Sequence, residues 1–199
     1  MVIAELLSDT ITGLILSFGY PGIFLLMAGE SAALPIPSEV VLPFAGYGVF
    51  LGNFDMIAVI LIATVGQLLG ALAAYYGARL GGRPFVEKYG KYAMIDGGHL
   101  KMTEEWFKKH GAKTVFVSRL LPIVRTFIPL PAGLAKMDVK KYALYTFVGS
   151  LPWTAALVYA GFWLGPYWKD LIMFFGELDI IIIAIIIIAL VYFVRKRRR

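Results

Sequence analysis

Cysteine is absent from this 199-residue chain, and charged residues make up only 16% of it. The first absence excludes disulfides, thiolate metal centres and cysteine nucleophiles. The second lies well below the roughly 25% charge of a soluble domain. Histidine occurs only at His99 and His110, eleven positions apart in a charged stretch. No helical i, i+4 pair therefore offers a zinc or haem site, and neither a metal nor a cofactor is expected. No lysine or arginine precedes Arg79, although Glu5, Asp9, Glu30, Glu39 and Asp55 all do.

What fills the space is apolar: 59% of residues are hydrophobic and the mean hydropathy is +0.76. These values place the chain in the bilayer as one membrane domain, because about 20 residues per crossing leave little room for a soluble module. The net charge of +6 is concentrated after residue 78, with eight cations from Arg79 to Lys113, then Lys136, Lys140 and Lys141, and last Arg195 to Arg199. A nucleic-acid binder would carry such charge on a soluble module; the positive-inside rule accounts for it here, and no nucleic-acid partner is expected. The first twenty residues lack a basic start and a small-residue cleavage site, so no processing is expected.

The chain divides into five stretches. Residues 1–20 are apolar but interrupted by Glu5, Ser8, Asp9, Thr10 and Thr12, and read as an interfacial helix. Residues 21–81 hold a segment broken by Pro35, Pro37 and Pro43, then a clean span over 56–78. In that span Gly66 and Gly70 have the spacing that lets helices approach closely. Residues 82–110 are polar and aromatic and read as a cytoplasmic amphipathic loop. Residues 111–165 repeat the anomaly, with Pro122, Pro129 and Pro131 breaking one segment before a span over 142–165. Residues 166–199 give a C-terminal span over 171–194 and a polybasic anchor. If both broken segments enter and leave on one side, three spans place every basic cluster and the C-terminus in the cytoplasm.

A repeat underlies this order. Leu34-Pro35-Ile36 and Ala45-Gly46 recur at the same spacing as Leu121-Pro122-Ile123 and Ala132-Gly133, and Tyr75, Gly77, Leu80 and Gly81 recur as Tyr159, Gly161, Leu164 and Gly165. Each half reads broken segment, then span, and one crossing per half makes the two copies inverted. The expected fold is therefore all-α: an inverted repeat of re-entrant, broken-helix hairpin plus transmembrane helix, with interfacial helices and a C-terminal span. Paired breaks of this kind point to a transport site near the bilayer midplane.

Irregular backbone at membrane depth must be covered by protein or water, so the two breaks are expected to pack together. Pro35, Pro37, Pro122 and Pro129 are the helix-breaking residues. Into this place the first half brings Glu30 and Glu39, and the second brings Arg119 and Arg125. Each charge alone costs about 2.5–3.5 kcal/mol at midplane, and four leucines would serve stability better, which marks the four as a functional set. Two guanidiniums suit a ligand with several anionic oxygens, since each binds phosphate bidentately and stays charged when desolvated. Glu30 and Glu39 balance the arginines in the empty site. They are also the candidate proton-coupling groups, because burial opposes a carboxylate's charge while a nearby arginine supports it.

Glu30 with Leu34-Pro35-x-Pro37-Ser38-Glu39, followed by Phe116-x-x-Arg119-x-x-Pro122-x-x-Arg125-Thr126 and Ala132-Gly133, closely resembles the DedA family, also called the SNARE-associated Golgi protein or VTT-domain family. Gly66, Gly70, Tyr76, Gly77, Arg79 and Gly81 resemble the family's glycine-rich span. Ala71 departs from it, where many members carry an acidic residue. The resemblance covers roughly residues 20–165 and implies a lipid transporter of the bacterial cytoplasmic membrane. Bacterial members are associated with returning undecaprenyl phosphate across that membrane, others with phospholipids, and eukaryotic relatives with lipid scrambling. The implied partner is a phosphate-headed lipid, polyprenyl phosphate or phospholipid, bound by Arg119, Arg125, Glu30, Glu39, Ser38 and Thr126. Oligomeric state is left open.

Three other readings compete. A proton-coupled exporter of small cations or drugs would use Glu30 and Glu39 as its site, but two arginines in the same cavity oppose a cation. A lipid phosphatase needs a histidine nucleophile or a metal cluster, so no enzyme is expected. A scaffold would hold the four charges as a static clasp. Trp153, Trp163, Trp168 and Tyr167 read as an interfacial aromatic belt, and Asp55 as a solvated residue at the outer start of a span.

Overall fold

The computed structural model describes residues 15, 17–34, 36–90, 111 and 113–167, with backbone only at 83–90, 122 and 123. Helix α1 spans Tyr20–Ser31, α2 Ser38–Phe50, α3 Met56–Gly90, α4 Pro122–Phe127, α5 Pro129–Leu134 and α6 Val139–Trp163. Residues 113–119 are also helical, and a short 3₁₀ turn over Gly165–Tyr167 follows α6. Every regular element among the described residues is helical. The interfacial helix expected before residue 15, residues 91–110 with both histidines, Pro35, Trp168 and the C-terminal span lie outside the described residues.

Prolines set the helix boundaries. Pro21, Pro122 and Pro129 stand in the first turns of α1, α4 and α5, where the missing N–H costs nothing and the fixed φ suits a helix. Pro37 caps α2 in extended backbone, and α1 ends at Ser31 before a reversal through Ala33, whose φ is 72°.

Two helices have the length and composition of a span: Met56–Gly82 and Val139–Trp163. At 1.5 Å per residue, each exceeds the roughly 30 Å hydrocarbon core. Both outrun the expected limits for visible reasons. Arg79 stays helical because its Nη1 donates to Tyr75 Oη at 2.6 Å. Asp138 caps α6 by accepting from Lys141 N at 2.9 Å, which moves the start back to Val139. The helix α3 kinks at Gly82, with φ 63° and ψ −158°, a conformation open essentially to glycine alone. Asp55 is exposed as expected and also caps α3, accepting from Ala58 N at 2.8 Å.

α1 lies along α3, α2 along α6, α5 along α3, and the two spans touch each other. Glycines permit these approaches. A Cβ at Gly66 would lie 2.6 Å from Phe24 O, and one at Gly70 would collide with Ala28 O, so the spacing read in the sequence is the seat of α1. Gly46 lies against Val158 O and Gly161 against Pro43 O, which binds α2 to α6; Gly133 lies against Tyr75 O, which binds α5 to α3. Ile23, Met27, Val41, Leu42, Ala45, Val59, Ala63 and Val158 fill one core, and Ala71, Tyr75, Val115, Ile128, Ala132 and Tyr142 another. Outside, Leu25, Ile57, Leu61, Leu144 and Trp163 are exposed. In water this would be an aggregation surface; hydrocarbon is its natural solvent.

Candidate functional site

The breaks meet in the interior, and Arg125 is the point where they meet. It rises from the last turn of α4 and is 4% exposed. Its Nε lies 3.3 Å from Glu30 Oε1, its Nη2 3.0 Å from Glu39 Oε1, and Nη2 also donates to Ser38 Oγ. Glu30 comes from the last turn of α1, where the negative end of the helix dipole disfavours a carboxylate. Arg125 offsets that, and Ser31 Oγ and Thr126 Oγ1 add donors to Glu30 at 3.2 and 3.4 Å. Glu39 stands in the first turn of α2, at the favourable positive end. Its side chain is 47% exposed, against 5% for Glu30.

Five of the six candidate binding residues thus converge on one another: Glu30, Ser38, Glu39, Arg125 and Thr126. Arg119 does not join them. Only 1% exposed, it extends from the 113–119 helix, and its Nη2 donates to Tyr142 Oη at 3.2 Å. Among the described residues no carboxylate lies within ion-pair reach of Arg119, and its Nε has no partner. The expectation that the two glutamates would balance both arginines is corrected here: Arg125 takes both, because α1 and α2 bring their carboxylates to α4. Arg119 acts on Glu30 only through the field, less strongly than Arg125 does. Tyr142 donates onward to Ala71 O at 3.4 Å and stacks on Tyr75 with centroids 4.7 Å apart, and Tyr75 accepts from Arg79.

Trp153 is a second correction. It is not part of an interfacial belt: the Arg125 guanidinium lies over its ring, 4.9 Å from the centroid, and its buried Nε1 is unpartnered. Trp163 and Tyr167, exposed at 67% and 63%, do sit on the outside. The signal that locates Trp153 is a stripe on α6, where Tyr142, Thr146, Gly149, Ser150 and Thr154 are buried at helical spacing. Thr154 also meets the buried Gln67 of α3, 3.5 Å away. The site is thus a buried guanidinium held between two carboxylates with Nη1 still unpartnered, walled by helix breaks on one side and by this stripe on the other. Among the described residues no three metal-ligating side chains come together.

Comparison with known proteins agrees with this architecture. The VTT domain model matches residues 36–162. Undecaprenyl phosphate transporter A of Bacillus subtilis is 38% identical over 195 residues, covering 97% of this chain and 96% of the relative. The protein of the same name from Staphylococcus aureus is 31% identical over 201 residues, covering 97% and 99%. A Lactococcus lactis relative called alkaline phosphatase-like protein is 37% identical over 192 residues, covering 90% and 88%. No solved structure gives a significant match. A domain match over most of the chain, and relatives aligned nearly end to end, place this protein in the VTT-domain, or DedA, family of membrane proteins.

Proposed function

We propose that this protein is a flippase that carries a phosphate-headed lipid, undecaprenyl phosphate first among them, across the bacterial cytoplasmic membrane. The observation that carries the reading is Arg125: a desolvated guanidinium with Nη1 unpartnered, between two apolar spans, where helix breaks meet. A phosphate monoester matches its fork and can replace the carboxylates on it. Relatives called undecaprenyl phosphate transporter A supply the lipid. The proposal includes the inverted repeat, supported by the paired approaches of Gly46 to Val158 and Gly133 to Tyr75, each glycine gripping the span of the other half. It also includes hairpins that re-enter on one side and a cytoplasmic C-terminus, which follow from the basic clusters.

Phosphate and carboxylate compete for Arg125 in this mechanism. A carboxylate displaced by the phosphate faces that group's negative charge, which favours its taking up a proton, so substrate binding and protonation favour each other. Glu39, half exposed and nearer the proline break, is the coupling group, and Glu30 the structural counter-ion. A cation exporter would need free carboxylates, and here both are engaged by Arg125.

The test is reconstitution of the full chain in vesicles with labelled polyprenyl phosphate and labelled phospholipids, over a pH series. Polyprenyl phosphate should flip, and Glu39→Gln should flatten the pH profile. A profile for that variant parallel to wild type removes Glu39 as coupling group; equal movement of all lipids without a proton gradient replaces the flippase by a scramblase. The name alkaline phosphatase-like in two Lactococcus lactis relatives gives a second reading, and release of inorganic phosphate from the lipid by purified protein would establish it.

A further inference from the structure

Among the described residues, the buried side-chain nitrogens and oxygens without a hydrogen-bond partner belong to Arg119, Arg125, Thr146, Ser150 and Trp153. They are not equivalent. Thr146 and Ser150 are hydroxyls on α6, and a helical hydroxyl can turn onto the carbonyl of the preceding turn. The indole Nε1–H of Trp153 has no such freedom: it is a donor only, fixed in the plane of its ring. That ring packs against the core containing Ile23, Val41 and Val158, and it carries the Arg125 guanidinium over its face, 4.9 Å from the centroid. Holding a guanidinium needs only a ring face, which phenylalanine also has. A buried, unpartnered N–H adds a desolvation cost that the stacking does not require. Arg125 shares the condition: Nη1 lacks a partner, and Nε, though 3.3 Å from Glu30 Oε1, closes no hydrogen bond. A stacked pair from α4 and α6 thus offers donors alone, and the two carboxylates that reach it are already set against Arg125.

We infer that Trp153 is a selectivity residue of the proposed lipid site: its indole N–H donates to the phosphate that Arg125 holds, and the pair favours a phosphate monoester over a diester. The inference rests on the lipid-transport reading above and adds to it a ligand contact from α6. A guanidinium edge takes two oxygens of a phosphate through parallel N–H bonds. A monoester has a third terminal oxygen. Nε1 belongs to the ring that the guanidinium covers, and two oxygens of one phosphate, each about 2.9 Å from its donor, bridge a separation of that size. A diester has only two terminal oxygens, both taken by the fork, and it leaves the indole N–H without an acceptor. The wrong ligand is then penalised by the donor it fails to satisfy, which is how buried polar groups discriminate most sharply. The line falls between lipids whose phosphate ends the headgroup and lipids in which a second alcohol esterifies it.

Binding to the full chain in nanodiscs tests this with two radiolabelled probes that share one hydrocarbon chain: polyprenyl phosphate and its methyl ester, a diester. Benzothienylalanine in place of Trp153 exchanges the N–H for sulfur and keeps the ring face. Wild type should bind the monoester more tightly, and the replacement should cut that preference about tenfold, the worth of one hydrogen bond to a charged acceptor, with affinity for the methyl ester little changed. Trp153→Phe should act in the same direction. A preference unchanged by the replacement, or equal weakening for both probes, means that the ring serves only to hold Arg125 and overturns the inference. A second readout needs no change at Trp153, so a folding failure of those variants does not blunt the test. With isotope-labelled indole in a chain carrying Trp106→Phe, Trp163→Phe and Trp168→Phe, the remaining N–H resonance should move downfield with polyprenyl phosphate and stay in place with the methyl ester. A resonance indifferent to the monoester also overturns the inference. Flipping of polyprenyl phosphate is measured in parallel: flipping with preference and resonance unchanged defeats this inference alone, and a monoester-specific indole shift without flipping defeats the transport reading alone.

Discussion

Replacing Arg125 by glutamine removes the cation that Glu30 and Glu39 share, and the two carboxylates will respond unequally. The Glu30 side chain is 5% exposed and becomes an uncompensated buried charge. Stranding such a charge costs about 3–5 kcal/mol. The Glu39 side chain is 47% exposed; water screens it, and an ion pair of that kind is worth about 0.2–1 kcal/mol. The lost contact with Trp153 adds about 0.5–2 kcal/mol. Arg125→Gln is therefore strongly destabilising, chiefly through Glu30. Adding Glu30→Gln, which removes the stranded charge, should recover about 2 kcal/mol or more, whereas adding Glu39→Gln should recover at most about 1 kcal/mol. Unfolding of the purified variants by dodecyl sulfate titration, followed by circular dichroism, gives both double-mutant cycles. A coupling of Arg125 to Glu39 equal to or larger than its coupling to Glu30 would refute the reasoning, and so would an Arg125→Gln variant as stable as wild type.

Arg119→Lys and Arg125→Lys keep the charge and lose the planar fork, so each should cut vesicle flipping of polyprenyl phosphate about tenfold or more while the protein still inserts; near-normal flipping by both would reduce the requirement to a point charge. Trp153→Leu should lower stability by about 0.5–2 kcal/mol and Trp153→Phe by less, because the phenyl face still meets the guanidinium; equal losses in melting curves would remove the ring from the site. Gly70→Leu drives a side chain into the Ala28 carbonyl and should separate α1 from α3, seen as lost thermal stability in detergent of at least about 1–3 kcal/mol. The chain's lack of cysteine makes sidedness simple to read: single cysteines at Gly97 and in the tail should label from the cytoplasm only, and one at Tyr167 from outside.

Charge and proline carried most of what was legible beforehand. Glu30, Glu39 and Arg125 stand out because no apolar segment tolerates such residues without partners, and the breaks between the helices follow from the prolines. A close helix approach at Gly66 and Gly70 was equally visible, since small residues four apart have one obvious use in a membrane helix, but that α1 makes it comes from the fold. Partner choice was not legible. Arg119 and Arg125 are alike in one dimension, and only the fold sends one to Tyr142, 23 residues on, and the other to Glu30, 95 residues back. Trp153 was misread because tryptophan has two uses in membranes, and composition favours the belt. The buried stripe on α6 distinguishes them, but its phase relative to the core is set by tertiary packing.

The way the glycines distribute the helices turns the charged cluster into a mechanical fastening. α1 is pinned to α3 through Gly66 and Gly70, while α2 is pinned to α6 through Gly46 and Gly161. Glu30 therefore travels with one span and Glu39 with the other, although only a short reversal separates them in the chain. Arg125 buttons the two edges together. Moving α3 against α6 would strain one of its two ion pairs, so breaking either pair would loosen the seam between the spans. Chemistry at one guanidinium thereby becomes leverage on two helices.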